Sequence, residues 1–289
     1  MPLTGQDFDR IIDLKSDNAY SGYFDNAKKN RIIAEATNKA IDLKIATNDR
    51  IQTESDLFGI YKSNITYTPI TNTISLILGG AGIADYFRMM NLKAQFIVPL
   101  TGNYISEALN STPIRITLNK KSNLRSKENV IVSGVTVNTN ANGTRYVKMV
   151  NPSKYSLYSD VNLLNPIASN GLYTGTVGTI SRVVYNSAKD MHSNRKFSKL
   201  NEPTVHNPKF EIANGLVKVY PLTWVCSEVT VDYISTPTYV DVDEGTIDLL
   251  QTYSSRFIYF LADEVVKLFG EQSRDDGEII NANMEISQP

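Results

Sequence analysis

Cysteine and histidine are scarce in this chain of 289 residues, which contains one cysteine, Cys226, and two histidines, His192 and His206. One cysteine cannot form an intramolecular disulfide, and two histidines do not supply the ligand spacing of a zinc site. Because Cys226 follows Trp224 and Val225 in a strand-like run, we interpret it as a small buried apolar side chain and not as a nucleophile. The sequence therefore argues against a disulfide scaffold and a zinc centre.

The motifs of nucleotide-binding proteins and hydrolases are also absent. No Gly-Lys-Ser/Thr and no Gly-x-Ser-x-Gly occurs, which removes support for a Walker loop and a nucleophile elbow. The apolar run 74–85 enters glycines but lacks the third spaced glycine and the acidic residue of a dinucleotide site. Asp241, Asp243 and Glu244 resemble half of a calcium loop, yet we favour the stabilisation of a following helix N-terminus. The sequence predicts no cofactor, no metal and no enzymatic activity.

Signals for secretion or membrane insertion are missing as well. The N-terminal MPLTGQDFDR has no basic region followed by an apolar core, so we expect no signal peptide and synthesis in the cytoplasm. Hydrophobic residues make up 42% of the chain, and 29 basic residues nearly balance 30 acidic ones, which is typical of soluble globular proteins.

Helical patterns lie near both termini. We expect helices over 7–15 and 23–48, where apolar residues recur among good helix formers. The apolar segment 74–90 predicts a helix with small residues or a turn between two helices. From 246 to 270, apolar residues at spacings of three and four predict one long amphipathic helix that ends at its last residue, a glycine. Its charged residues exclude a membrane span. After it, 273–286 is expected as a short acidic helix or an extended tail.

Strand patterns fill the middle of the chain. In 210–221, two alternating runs flank Asn214-Gly215, the pair best able to adopt the positive φ angles of a two-residue hairpin turn. From 93 onward, short runs rich in β-branched residues predict strands, and Asn142-Gly143 predicts a second hairpin turn. These runs are 95–100, 114–118, 130–137 and 145–150, followed by a strand at 177–185.

Together these patterns predict an α+β fold, with a helical layer from the N- and C-terminal segments and an inserted β-rich region. We place the N-terminal helical part at 1–92 and the inserted basic β-rich domain at 93–160. The hairpin and the long C-terminal helix, at 161–289, are expected to complete the helical core.

Charge is distributed unevenly along the chain. Residues 88–154 carry ten basic and two acidic side chains, whereas 219–289 carry three basic and thirteen acidic ones. Because opposite fields steer association, the sequence predicts contacts between copies or with a stacked partner; the alternative is a solvated surface. The candidate contact residues are Arg115, Lys120, Lys121, Arg125, Lys127, Arg195, Lys196, Lys199, Tyr253, Phe257, Leu261, Ile279 and Ile280.

The order of these elements resembles the head-to-tail adaptor, or connector ring, proteins of tailed bacteriophages, especially short-tailed and crAss-like phages. The resemblance covers 7–48 and 210–270: the helix through Ala27-Lys-Lys-Asn-Arg-Ile-Ile, the hairpin through Ile212-Ala-Asn-Gly-Leu-Val-Lys-Val-Tyr-Pro221, and the following strand and helix. The family implies a ring of about a dozen copies under the portal, with helices packed between subunits. The basic β-rich insertion 93–160 departs from compact family members.

We therefore expect a non-enzymatic virion protein, made in the host cytoplasm and located at the tail or portal vertex. Its expected partners are other copies of itself, the portal protein, other tail or ring proteins, and DNA that passes without sequence-specific binding; no membrane partner is expected. The alternative is a β-rich glycan-binding tail-fibre or surface adhesin module that uses Tyr155, Tyr158 and Tyr173. Basic residues beside tyrosines, such as Arg145-Tyr146, also suit a nucleic-acid backbone, but no recognised nucleic-acid module accompanies them.

Overall fold

Strands dominate the fold. The computed structural model describes residues 2–16, 24–47, 53, 55–76, 82–191 and 202–286. Strands make up 39% and helices 25% of the structure, and six strands close into a β-barrel. The predicted α+β fold, with a helical layer around an inserted β-rich region, is therefore wrong. Strand pairing extends far beyond 93–160, because the polar region after 160 contributes the longest strand although its alternation is weak.

The chain forms two compact units, and their elements are as follows. The first unit comprises Met1–Ser63, Asp85–Met89 and Asp232–Pro289, and the second comprises Asn64–Ala84 and Met90–Val231. The α-helices of the described residues are α1 (Gly5–Lys15), α2 (Asn26–Thr47) and α3 (Ser255–Ile286). The strands are β1 (Tyr61–Tyr67), β2 (Thr73–Ser75), β3 (Tyr86–Pro99), β4 (Ile105–Ala108), β5 (Arg115–Leu118), β6 (Asn129–Ser133), β7 (Gly143–Asn151), β8 (Lys154–Tyr158), β9 (Tyr173–Asp190), β10 (Lys209–Ala213), β11 (Leu216–Tyr220) and β12 (Val225–Ser235).

The starts of α1 and α2 follow local capping rules. Thr4 and Asp7 form a capping box at α1, in which the backbone N–H of Asp7 donates to Thr4 Oγ1 at 3.3 Å. At α2, Asp25 Oδ1 accepts a hydrogen bond from the backbone N–H of Lys28 at 2.7 Å. The predicted helices at 7–15 and 23–48 are confirmed by these two elements.

The C-terminal helix begins and ends later than predicted. It starts at Ser255 because Ser254 Oγ accepts a hydrogen bond from the backbone N–H of Phe257 at 3.1 Å and caps the helix. Gly270 lies inside α3 and does not terminate it. A glycine within a helix costs about 1 kcal/mol relative to alanine, and burial of the adjacent Leu268 and Phe269 offsets that cost.

The acidic residues before the helix do not stabilise its N-terminus, contrary to prediction. Asp241 Oδ1 accepts a hydrogen bond from Asn30 Nδ2 at 2.8 Å, and Asp243 Oδ1 accepts one from Asn26 Nδ2 at 2.6 Å. Both donors belong to the start of α2. The carboxylates of Asp241 and Asp243 therefore bind side chains of another helix, and that of Glu244 binds Thr246, about ten residues before α3 begins.

The apolar stripe of the C-terminal segment is buried inside the first unit. Tyr253, Phe257 and Leu261 are each 0% exposed. The rings of Phe24 and Phe269 lie 5.0 Å apart between centroids, which joins the chain before α2 to α3. The predicted packing role of this stripe is confirmed.

A buried ion pair links α2 to the segment before β1. Lys44 Nζ lies 3.0 Å from Asp56 Oδ2, and the two side chains are 8% and 2% exposed. Lys44 Nζ also lies 4.7 Å from the centroid of the Phe260 ring, and Asp56 Oδ1 accepts a hydrogen bond from Ser254 Oγ at 3.0 Å. This buried pair therefore joins three parts of the first unit: α2, the segment before β1, and Ser254, which caps α3.

The twelve strands pair in the order β1-β12-β3-β9-β4-β5-β8-β7-β6, with β2, β10 and β11 off this path. In the second unit, β10 and β11 form the predicted hairpin, whose register pairs Ala213 with Leu216. Asn214 and Gly215 adopt φ angles of 51° and 72°, as a two-residue turn with positive φ requires. This hairpin prediction is confirmed.

The barrel closes because β9 has two neighbours. The pairs β4–β5, β5–β8, β8–β7 and β7–β6 are antiparallel, and β9 pairs with both β6 and β4. Alternate side chains of these strands point inward and fill the interior. The interior residues are Ile105, Ala108, Ile114, Ile116, Leu118, Leu124, Val130, Val132, Val135, Ala141, Val147, Tyr155, Leu157, Tyr173 and Ile180.

Two further local predictions are wrong. The segment 74–90 contains strands β2 and the start of β3 instead of a helix, and its residues 77–81 lie outside the described part of the chain. Asn142-Gly143 is not a two-residue hairpin turn, because Val132 pairs with Gly143 and nine residues, 134–142, connect β6 to β7. Asn142 instead has a φ of −65° and ends a short 3₁₀ helix.

The buried Lys44–Asp56 pair predicts a large difference between two substitutions. Lys44→Met leaves a buried carboxylate without its cation, so we expect the free energy of unfolding to fall by about 3 kcal/mol in urea denaturation. Arg88→Met is the matched control, since Arg88 pairs with Asp42 in the same unit and the two side chains are 47% and 49% exposed. We expect it to cost less than about 1 kcal/mol, and equal losses would contradict this account.

Candidate functional site: the two ends of the β-barrel

The antiparallel barrel places its connections alternately at opposite ends. The connections 109–114, 134–142 and 159–172 share one end, which we call the neutral end. The connections 100–104, 119–128 and 152–153 share the other, which we call the basic end. This arrangement gathers residues that are far apart in the sequence into two surfaces of different chemistry.

Side-chain amides join the three connections of the neutral end. Asn138 Nδ2 donates to the carbonyl oxygens of Ala108 and Leu109 at 3.4 and 3.2 Å. Asn138 Oδ1 accepts a hydrogen bond from the backbone N–H of Asn170 at 3.4 Å. The backbone N–H of Ile114 donates to the Ile167 carbonyl at 2.8 Å. Because Asn138 is 0% exposed, these bonds hold the loops together from within.

The neutral end is almost without charge and exposes apolar side chains. Its three connections contain one charged residue, Asp160. Gly134, with a φ of 76°, lies against the carbonyl of Val177 on the neighbouring β9, which brings Val177 to the same surface. The exposed apolar residues are Val137 (56%), Val161 (47%), Leu164 (76%), Leu172 (52%) and Val177 (63%). A surface of this kind is typical of protein contacts.

The one charged residue in the connections of the neutral end, Asp160, shapes a loop. Asp160 accepts hydrogen bonds from the backbone N–H groups of Asn165 at 2.7 Å and Leu164 at 3.2 Å. Desolvation raises the pKa of the Asp160 carboxyl, but the hydrogen bonds from Asn165, Leu164 and Asn162 together outweigh it, so the pKa lies below its usual value. The carboxylate therefore holds the backbone that carries the exposed Leu164.

The loop 119–128 at the basic end is fixed at several points. Ser122 Oγ lies 2.8 Å from the hydroxyl oxygen of Tyr155, which is buried in the barrel interior. Arg182 Nη2 donates to the Asn123 carbonyl and to Asn123 Oδ1 at 3.0 and 2.9 Å. Arg182 Nε also lies 3.0 Å from Glu128 Oε2. The first and last parts of the loop are thus held by one arginine of β9.

Four of the predicted contact residues lie together on this loop. Lys120, Lys121, Arg125 and Lys127 are exposed, and within the described residues none of them forms an ion pair. Lys127 has a φ of 72°, a conformation that is uncommon outside glycine. A cleft of about 570 Å³ between Arg125, Glu128, Arg182 and His206 adjoins them. The structure therefore brings four cations to one end of the barrel.

The other predicted contact residues are placed elsewhere. Arg115 is exposed at the first residue of β5, next to the neutral end. Tyr253, Phe257 and Leu261 are buried within the first unit and are not on the surface of the chain. Ile279 and Ile280 belong to α3, but their side chains, like all of Arg195, Lys196 and Lys199, lie outside the described part of the structure.

Part of the acidic charge of the C-terminal segment is compensated inside the first unit. Lys15 Nζ on α1 lies 2.6 Å from Asp263 Oδ1 on α3. Glu264, whose side chain is 4% exposed, lies near Lys39 at 3.7 Å and Lys267 at 2.5 Å. The charge contrast along the sequence therefore overstates the acidic field that a partner meets, because part of it is paired with lysines of the N-terminal helices.

Sequence reasoning did not identify Arg182 and Asn138 as determinants of the site, and it assigned Tyr155 to an exposed glycan-binding surface. Arg182, Asn138 and Tyr155 act from inside or beside the barrel, and no motif marks them. The neutral end had a visible signal, because no charged residue occurs from 161 to 181 or from 129 to 144. That signal becomes informative only when the strand order shows that the two segments meet.

The structure removes the aromatic surface proposed for glycan binding. Tyr155, Tyr158 and Tyr173 are 0%, 9% and 2% exposed.

Cys226 is buried as predicted, and desolvation raises the pKa of its thiol to about 11, which keeps it a thiol at neutral pH. Among the described residues there is no cluster of His, Cys, Asp or Glu suited to a metal ion.

None of the helices in the described part of the chain has the length and apolar character needed to cross a membrane.

No protein-family model matches the chain, and no curated protein matches it. The interpretation of the two barrel ends therefore depends on their own chemistry.

Removing the Asp160 carboxylate is expected to loosen the neutral end. In Asp160→Ala, the backbone amides of Leu164 and Asn165 lose their acceptor, so we expect faster hydrogen exchange at both positions. The amide of Gly178, which donates to the Tyr173 hydroxyl at 2.9 Å, is the internal control and should not change.

Because the pKa of Asp160 is lowered by folding, acid should reproduce the effect of the substitution. Protection of the two amides is complete above the unfolded pKa of about 3.9 and is lost as pH falls through the lower folded pKa. Unchanged exchange in the variant would contradict this role.

Proposed function

We propose that this chain is a non-enzymatic structural protein of a bacteriophage virion, which forms a ring between the capsid portal and the tail and lets DNA pass. The observation that carries the proposal is the neutral end of the barrel, where the connections expose apolar side chains and contain one charged residue, and where Arg145 of β7 donates to the carbonyls of Asn140 and Asn142. By the resemblance described above, the ring has about a dozen copies.

The neutral end has the properties of a surface that binds the same partner many times. Its loops are held by Asn138 and Asp160, so little conformational freedom is lost on association. A ring requires a head-to-tail contact in which this surface meets a different surface of the next copy. Exposed valine and leucine side chains at such a contact supply the apolar centre that stable interfaces share.

Charge supports the same arrangement. The four cations of the basic end lie at the opposite end of the barrel from the neutral surface. If the neutral end contacts protein, the basic end of the same barrel remains free for another partner. The proposed partners are further copies, the portal protein and other tail or ring proteins, and the proposed location is the tail or portal vertex of the virion.

The glycan-binding alternative has lost its basis. It required exposed Tyr155, Tyr158 and Tyr173, and these side chains are buried. The described surface offers no other aromatic group around either cleft at the basic end.

A charge placed in the neutral end is expected to weaken assembly. Val177→Asp puts a carboxylate into the proposed interface, and we expect self-association or portal binding to weaken by at least about tenfold, because the charge is desolvated on contact. Val225→Asp is the matched control: Val225 is 66% exposed, similar to the 63% of Val177, and lies on β12 in the same unit. Light scattering and electron microscopy of the full chain, alone and with its portal protein, measure the outcome. A wild-type chain that stays monomeric and never joins the portal would overturn the proposal.

A further inference from the structure

We infer that the basic end of the barrel binds the phosphodiester backbone of DNA without reading its sequence. The observation is the group of four exposed cations, Lys120, Lys121, Arg125 and Lys127, on one fixed loop. The inference adds a DNA contact to the proposed function but does not depend on ring assembly, because each barrel carries a complete basic end.

The loop is prepared for an anion before any ligand arrives. Its middle is anchored by Leu124, which is 1% exposed in the barrel interior. The backbone N–H of Lys127 donates to the Val147 carbonyl at 2.7 Å, and Ser126 Oγ accepts a hydrogen bond from the backbone N–H of Met149 at 3.0 Å. Because the backbone is held from both sides, the cations need only side-chain adjustment to reach phosphates.

No carboxylate competes for these cations within the loop. Its single acid, Glu128, forms an ion pair with Arg182 instead, with 3.0 Å between Glu128 Oε2 and Arg182 Nε. Since the four cations form no ion pair among the described residues, their charge is available to a ligand. Two clefts beside the loop, of about 570 and 520 Å³, share Ser122, Asn123 and Arg182 and give phosphate groups room to approach.

The side chains of the loop favour phosphate over an acidic protein surface. Besides the cations, its exposed groups are the short polar residues Asn123 and Ser126, of the types that commonly contact phosphates. Its one apolar residue, Leu124, is buried, so the loop itself offers no apolar anchor of the kind that dominates protein interfaces; Met149 and Val150, at the adjoining end of β7, are 46% and 50% exposed. DNA is also an extended polyanion, which suits several cations on one loop better than a single small anion does.

The salt dependence of DNA binding tests the inference. Fluorescence anisotropy of the full chain with a labelled random-sequence duplex is measured between about 50 and 200 mM salt. Four phosphate contacts predict a slope of log K against log salt of about −3 to −4, or a loss of affinity of about a hundredfold over this range. In Lys120→Gln/Lys121→Gln we expect the slope to become less negative by about 2, which leaves a loss of affinity of about tenfold.

Two further variants separate binding from folding. Arg115→Gln removes another exposed cation, near the other end of the barrel, and should leave the slope unchanged. Lys127→Gly removes a basic-end cation at a backbone position with a φ of 72°, where glycine is unstrained, so the melting temperature should not change. The slope should become less negative by about 1.

Three results would overturn the inference. They are the absence of DNA binding at low salt, an equal loss in Arg115→Gln and the basic-end variants, and basic-end variants that alter self-association but not DNA binding. The last result would assign the loop to an acidic protein surface. Failure of DNA binding with normal ring assembly would leave the proposed function standing, and normal DNA binding by a monomer would leave this inference standing.

Discussion

Closure of the barrel depends on strand β9, which pairs with β6 along one edge and with β4 along the other. The β4–β9 pairing includes a register shift between Ile105 and Glu107, and β9 passes close to Ile105 at Gly178. A side chain at Gly178 would lie 3.0 Å from Ile105 Cβ, so glycine permits the approach. Shifts and glycines of this kind let a strand bend enough to complete a barrel. Because these strands are antiparallel, their connections alternate between two ends, and closure of the barrel gathers each set into one surface, neutral or basic.

The same strand links the interior to the basic surface. Tyr173, at the start of β9, is buried and its hydroxyl oxygen accepts a hydrogen bond from the backbone N–H of Gly178 at 2.9 Å. Farther along, Arg182 holds Asn123 and Glu128 in the basic loop. One element therefore closes the barrel and also positions the loop that carries the four cations. The interior and the candidate site are parts of one arrangement, so changes in β9 affect both.

In the first unit, electrostatic pairing changes how the charge of the chain is understood. Lys44 and Asp56 form a buried pair, and Lys15 and Asp263 join α1 to α3. Charges used in this way stabilise or orient helices and are not available to steer partners. The basic loop of the barrel differs because its cations have no such partners among the described residues. The charge that remains for partners is therefore that of a few unpaired side chains, and not the net charge of long segments.

The sequence by itself determined those features that depend on neighbours along the chain. Thr4 and Asp7 cap α1, Asn214-Gly215 forms its turn, and the stripe through Tyr253 and Phe257 is buried, because each follows from local geometry or periodicity. Only the tertiary structure decided that β9 closes a barrel and that Gly270 lies within a helix. It also decided that segments 129–144 and 161–181, both without charge, meet at one end. These outcomes depend on pairing between distant strands and on burial against distant residues, which a local pattern does not encode.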